Sequence, residues 1–159
     1  LRALLGLRSP MHSVARMVNP LNAAVQLQGI FHPNYRDIHQ HAALLLKQPH
    51  MAVLKGEGGE IERNPDVPCL GQSVHHGVGH AEEWPAMFAA RHLKDENMDV
   101  GRLPALWRGE IADEYGEAAV VGTAAIALRT LGVADSIAVA EAQAAELWRR
   151  RPATWLKAA

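Results

Sequence analysis

The sequence predicts an α/β domain, and three observations carry that prediction. Residues 25–31 (Val-Gln-Leu-Gln-Gly-Ile-Phe) read as a strand, residues 35–47 as an amphipathic helix and residues 51–54 as a second, wholly apolar strand. A strand–helix–strand unit of this length pairs its strands in parallel through a right-handed crossover. A glycine-rich loop follows the second strand directly, and the last third of the chain reads as helical.

The elements follow in order. Residues 10–19 form a short helix between prolines: Pro10 suits a first helical turn, and Asn19 precedes Pro20 and is biased out of the helical region. At helical spacing Arg8, His12 and Arg16 share a face, with Met11, Val14, Ala15 and Val18 on the others. His32-Pro33-Asn34 ends the first strand. Asn34 is placed to cap the helix of residues 35–47, with Asp37 in its first turn and Ile38, Ala42 and Leu45 as its buried face. Pro49 stops that helix. Residues 69–74 read as a further strand, residues 74–83 carry no clear period, and residues 84–89 read as an edge segment because of Pro85. Residues 94–99 read as a polar linker. Residues 102–108 form a helix ended by Gly109. Residues 114–131 form the strongest helix, with glutamates at its start, Arg129 near its end, no charge between Ala118 and Leu128, and Gly132 as its stop. Ser136 caps a last helix running to about Arg151, before Pro152.

Composition narrows the function. The chain has 159 residues, 48% of them hydrophobic and 21% charged, enough for one globular domain with a real core. The formal net charge is −1, so any nucleic-acid contact has to come from local patches. Cys69 is the single cysteine, which excludes an intrachain disulfide and points to a reduced, cytoplasmic setting. No apolar run reaches the ~18 residues of a membrane span, and no signal peptide is visible.

Four features could carry chemistry. Gly56, Gly58 and Gly59 lie within four positions at the carboxyl end of a strand, where backbone N–H groups can approach a phosphate, with Glu62 just beyond. No Gly-Lys-Ser/Thr follows, so this is not a P-loop, and a plain tight loop is the ordinary reading. His75, His76 and His80 lie close together, but Gly77 and Gly79 oppose a helix, and the spacing reads as a solvated loop with no metal site. His39 and His41 read as surface residues. Cys69 reads as a small buried hydrophobe, and Trp107, Trp148 and Trp155 as packing residues. Two basic clusters remain. The first is Arg2, Arg8, His12 and Arg16, in a stretch where residues 1–36 hold four arginines and no carboxylate. The second is Arg149, Arg150, Arg151 and Lys157, partly explained by the pull of a helix C-terminus on cations. Cations on a continuous surface give salt-sensitive, sequence-independent affinity for phosphates.

Several of these segments together resemble a known family. Leu5-Gly6-Leu7-Arg8-Ser9 running to Asn19-Pro20 is similar to the segment that opens the large domain of anthranilate phosphoribosyltransferases (glycosyltransferase family 3). The strand end at residues 29–33, the loop at residues 55–65 and the stretch at residues 108–131 continue the likeness in order. Trp107-Arg108-Gly109-Glu110 through Asp113-Glu114-Tyr115-Gly116 looks particular to the DNA-binding YbiB-type branch of that family. The resemblance implies a phosphoribosyltransferase or nucleoside-phosphorylase type of large domain, with a central, mostly parallel sheet flanked by helices. Residues 1–159 would be its C-terminal α/β part, after a helical N-terminal domain through which the protein pairs as a homodimer.

In the transferases the loop ends in an aspartate–glutamate pair that helps hold magnesium and the phosphoribosyl donor. Here Ile61 stands at the aspartate and Glu62 keeps the glutamate, while a shift of one residue would bring Glu60 near. The resemblance therefore implies nucleic-acid binding by Arg2, Arg8, His12 and Arg16. Catalytic residues and a cofactor are not expected, and Gly56, Gly58, Gly59 and Glu62 would be a vestigial phosphate or metal loop. The alternative is a phosphoribosyltransferase using magnesium-bound phosphoribosyl diphosphate.

Overall fold

The computed structural model describes residues 11–93 and 99–155. Within them the order is α1 (Met11–Met17), β1 (Val25–Ile30), α2 (Tyr35–Leu45), β2 (His50–Lys55), β3 (Cys69–His75), β4 (Val78–Trp84), α3 (Arg102–Arg108), α4 (Glu114–Leu131) and α5 (Ile137–Arg149), closed by a 3-10 turn at Ala153–Trp155. Arg2, Arg8, Pro10, Lys157 and most of the polar linker lie outside the described residues.

The α/β class holds, and β1 pairs with β2 in parallel, Val25 opposite His50 and Ile30 opposite Lys55. The expected mostly parallel sheet does not extend further among the described strands. The sheet order is β1-β2-β3-β4, and β3 runs antiparallel to both β2 and β4. The reason is local. His76 and Gly77 both take positive φ, 46° and 81°, which closes a two-residue hairpin between β3 and β4. No helix crosses between β2 and β3 to bring the chain back in parallel. The unassigned stretch of residues 74–83 is therefore the end of β3, the turn and most of β4, and Trp84 ends that strand rather than starting an edge segment.

Helices cover both faces of the sheet. Ala52 and Leu54 of β2, with Cys69 and Trp84, pack against Val121, Ala125 and Ile126 of α4 and Ala140, Ala144 and Trp148 of α5. Alanines at the α4–α5 contact let the two helices approach closely, and each large buried side chain contributes roughly 1.5–3 kcal/mol. On the other face Ile30, Met51, Val53 and Val74 pack against Ala43 of α2.

The Ser136 cap of α5 and the Gly132 stop of α4 are those the sequence predicts, and α4 has in addition an N-cap at Asp113. Asp113 accepts from the Gly116 N–H at 2.8 Å, Ser136 accepts from the Val139 N–H at 3.3 Å, and Gly132 ends α4 at φ 76°. Asn34 does not cap α2: it is itself helical and makes no side-chain cap bond. The buried face of α2 is also not the expected one. Ile38 and Leu45 are 53% and 84% exposed, and His39 and Ala43 point inward instead. His39 can be buried because its Nδ1 donates to the Gln28 side-chain oxygen at 2.6 Å. Burial, and secondarily the Arg16 charge, lower its pKa.

Trp107 and Trp148 pack edge to face, 5.9 Å between centroids, whereas Trp155 is exposed. The second basic cluster is partly structural. Arg151 donates to the carbonyls of Leu106, Trp107 and Trp148 at 2.7–3.0 Å and lies 3.7 Å over the Trp148 ring. It thus adds a side-chain donor to carbonyls in the last turns of α3 and α5. Arg149 pairs with Glu146 at 2.6 Å. Among the described residues no helix is long and apolar enough to cross a membrane.

Candidate functional site

The parallel pair β1–β2 delivers its carboxyl ends to one rim of the sheet, the place where open α/β sheets bind ligands. The glycine loop is there, and its amides are already occupied. The Gly56 N–H donates to the Ile30 carbonyl at 3.0 Å, and the Gly59 N–H to the Gly56 carbonyl at 3.4 Å. The Gly58 N–H donates to the Glu60 carboxylate at 2.6 Å. The glycines make room for the chain itself: a Cβ at Gly29 or Gly56 would overlap the Glu60 carbonyl. Gly59 takes φ +87°, and a Cβ there would sit 3.3 Å from the Arg16 guanidinium nitrogens.

Arg16 belongs to this loop. Its guanidinium donates to the Gly29 carbonyl at 2.8 Å, tying α1 to the end of β1. Its backbone carbonyl, with that of Val18, accepts from the Gln26 side chain. The structure therefore places Arg16 and Gly59 together, two residues the sequence puts in separate groups. His12 lies on the exposed helix α1, which buries none of its residues.

Glu62 lines a cleft of about 580 Å³ with Leu27, Ile61, Tyr115, Val120 and Ala124. Burial raises its pKa, and the charges of Glu60 and Glu57 raise it further. Burial also pushes the Tyr115 hydroxyl up to about 12, reinforced by Glu62 and Glu57. Three carboxylates, Glu57, Glu60 and Glu62, thus lie near one another at this rim, with the Arg16 guanidinium beside Gly59. A second cleft, about 870 Å³, lies against Arg36, Lys55, Cys69 and Arg91 and shares Tyr115. Asp66 there is hydrogen-bonded to His92 at 2.7 Å, Arg102 pairs with Asp113 at 2.8 Å, and Glu57 and Glu114 also line the cleft. Cys69 is buried, and burial raises its thiol pKa, so it has the character of a core residue rather than a nucleophile.

Arg63 anchors the far end of the loop and gives no signal in the sequence. Its side chain is fully buried, paired with Glu141 of α5 at 2.8 Å and donating to the Pro85 carbonyl at 2.6 Å. It crosses α4 at Gly122, where a Cβ would come within 2.9 Å of the arginine Cδ.

Comparison with curated proteins now bears on this site. Over 145 residues the chain is 32% identical to the anthranilate phosphoribosyltransferase of Burkholderia cenocepacia (strain HI2424), covering 86% of this chain and 42% of that protein. The chain is similar to anthranilate phosphoribosyltransferases. That of Bordetella avium (strain 197N) is 28% identical over 152 residues, 92% of this chain and 44% of its own length. The chain therefore spans less than half the length of these relatives. No protein-family model matches it.

The donor set does not suit the magnesium-bound diphosphate that the resemblance implies. Mg²⁺ needs carboxylate oxygens it can gather in near-octahedral geometry. Ile61 supplies none, the Glu60 carboxylate is folded back onto Gly58, and among the described residues no three ligating side chains converge.

Proposed function

We propose that the chain is part of a transferase-like protein that has lost phosphoribosyl transfer and holds nucleic acid without sequence preference. The observation that carries the first half is the occupied loop. All three glycine amides are bonded within the protein, and the one facing outward is covered by Glu60. An incoming diphosphate would have to displace that carboxylate and sit beside Glu57 and Glu62. Coulomb repulsion opposes it, and no matched pair of carboxylates is present to recruit a metal.

The nucleic-acid half rests on α1 and the segment before it. The helix is exposed, and no carboxylate occurs before Asp37. Arg16 is a tether to Gly29, so Arg2, Arg8 and His12 carry the phosphate contacts in this reading.

The test is a salt titration of duplex DNA binding. The wild-type protein should bind at low salt, with log K falling linearly against log salt. The Arg2→Ala/Arg8→Ala variant should show a slope shallower by about two, because each of these arginines neutralises one phosphate. Arg16→Ala should lower the thermal midpoint and leave the slope near that of the wild type. Absence of binding at low salt sinks the proposal. The identity with curated transferases favours a second reading, phosphoribosyl transfer to an aromatic amine. Turnover of anthranilate with phosphoribosyl diphosphate and Mg²⁺ would establish it in place of the first.

A further inference from the structure

Four histidines meet at the end of the sheet opposite the glycine loop. His50 opens β2 and stands directly opposite His75, the last residue of β3. His76 is the first residue of the hairpin turn, and His80 lies on β4 opposite Ser73. The His50 and His75 Nδ1 atoms are 3.2 Å apart. The His76 ring lies 4.4 Å from the His50 ring, and the His80 ring 5.5 Å from that of His75. The backbone around them is fixed. The His76 N–H donates to the Pro49 carbonyl at 2.8 Å, and Gln40 of α2 donates to the carbonyls of Ser73 and His80.

We propose that His50 and His75, completed by His76 or His80, bind a divalent transition-metal ion of the zinc class. Two nitrogens each about 2.0–2.1 Å from a tetrahedral zinc are about 3.3 Å apart, which the Nδ1 pair nearly matches as it stands. The metal-bound form needs both Nδ1 lone pairs on the ion, with each ring's proton on Nε2. Among the described residues no three ligands converge in the present rotamers. What is built is a pair, and the third nitrogen comes by rotation of an exposed side chain, His76 or His80. Water fills the remaining position. Imidazole selects zinc, nickel or copper over the hard ions magnesium and calcium. The bound ion ties the β3–β4 hairpin to the start of β2. Sequence spacing could not show this, because His50 comes from another strand.

The experiment is calorimetric titration of the intact, untagged protein with zinc, with magnesium as the control. Cobalt absorption reports nitrogen ligation. One equivalent of zinc per chain should bind, raise the thermal midpoint and leave magnesium without effect. The His50→Gln/His75→Gln variant should lose that equivalent. Should it fail to fold, the His76→Gln/His80→Gln variant, altered only at exposed positions, should still bind zinc more weakly than wild type. No zinc uptake by the wild type overturns the proposal. So does unchanged affinity in either variant, which would place the ion on other histidines.

Discussion

Glu141→Ala should destabilise this protein more than removal of the arginine it pairs with. Arg63 is fully buried and Glu141 is 31% exposed. Deleting the carboxylate strands a guanidinium in the core with the Pro85 carbonyl and the Trp84 ring, 5.1 Å away, for company. Its Nε has no partner even in the wild type. Breaking a buried pair by removing one member costs about 3–5 kcal/mol. Arg63→Met instead fills much of the volume and leaves the partly exposed Glu141 within reach of water. The change removes two charge-assisted hydrogen bonds, to Glu141 and to the Pro85 carbonyl, about 1.5–3 kcal/mol each, and water at the partly exposed Glu141 recovers part of this. For a domain of this size each kcal/mol moves the thermal midpoint about 2–4 °C. Urea unfolding at pH 7 with both single variants and the double variant gives the two costs and the coupling between them. The reasoning fails if Arg63→Met proves the more damaging change, or if Glu141→Ala falls within about 0.5 kcal/mol of wild type, the range of ordinary surface substitutions.

Three shorter predictions follow from the same geometry. His39 has a folded pKa below its unfolded value, so the unfolded state binds the extra proton and stability falls as pH drops through the mid-6 range. The urea midpoint should therefore fall between pH 7.5 and pH 5.5, and His39→Gln should reduce that fall; an equal fall in the variant would show that His39 is not the cause. Asp113→Ala removes both the cap of α4 and the partner of Arg102. It should cost about 1–2 kcal/mol, and circular dichroism melts should show the midpoint falling accordingly. Glu60→Ala frees the Gly58 amide and removes a negative charge from the rim. Calorimetry should then detect inorganic diphosphate binding in the variant and none in the wild type; no difference between them would mean that Glu60 does not guard the loop.

The sequence discloses the elements better than their faces. α3 and α4 begin and end where expected because Gly109, the glutamates Glu114 and Glu117, and Gly132 state their limits in local chemistry. The face of α2 is misread because hydrophobicity alone favours Ile38 and Leu45, whereas the packed face is chosen by a hydrogen bond from His39 to Gln28, on another element. The β3–β4 hairpin carries a readable sign, a glycine second in a two-residue turn, masked by a histidine at positive φ in the first position. The site divides in the same way. That a glycine loop sits at a strand end is legible. That it is filled by Glu60 and backed by Arg16 is not, because a side chain meeting an amide leaves no trace in residue spacing.

The two faces of the sheet are unequally bound, and this sets an order of opening. The α4–α5 side shares one large cluster that includes Trp84 and Trp148, while α2 holds its face through a smaller apolar cluster around Ala43 and through side-chain hydrogen bonds of Asp37, His39 and Gln40. Local unfolding starts where few apolar contacts must be broken. When α2 lifts, it uncovers Gln28 and loosens the strand whose Gly29 carbonyl holds Arg16. Breathing of this layer is thereby felt in its neighbour, in how firmly the exposed basic helix α1 is held against it.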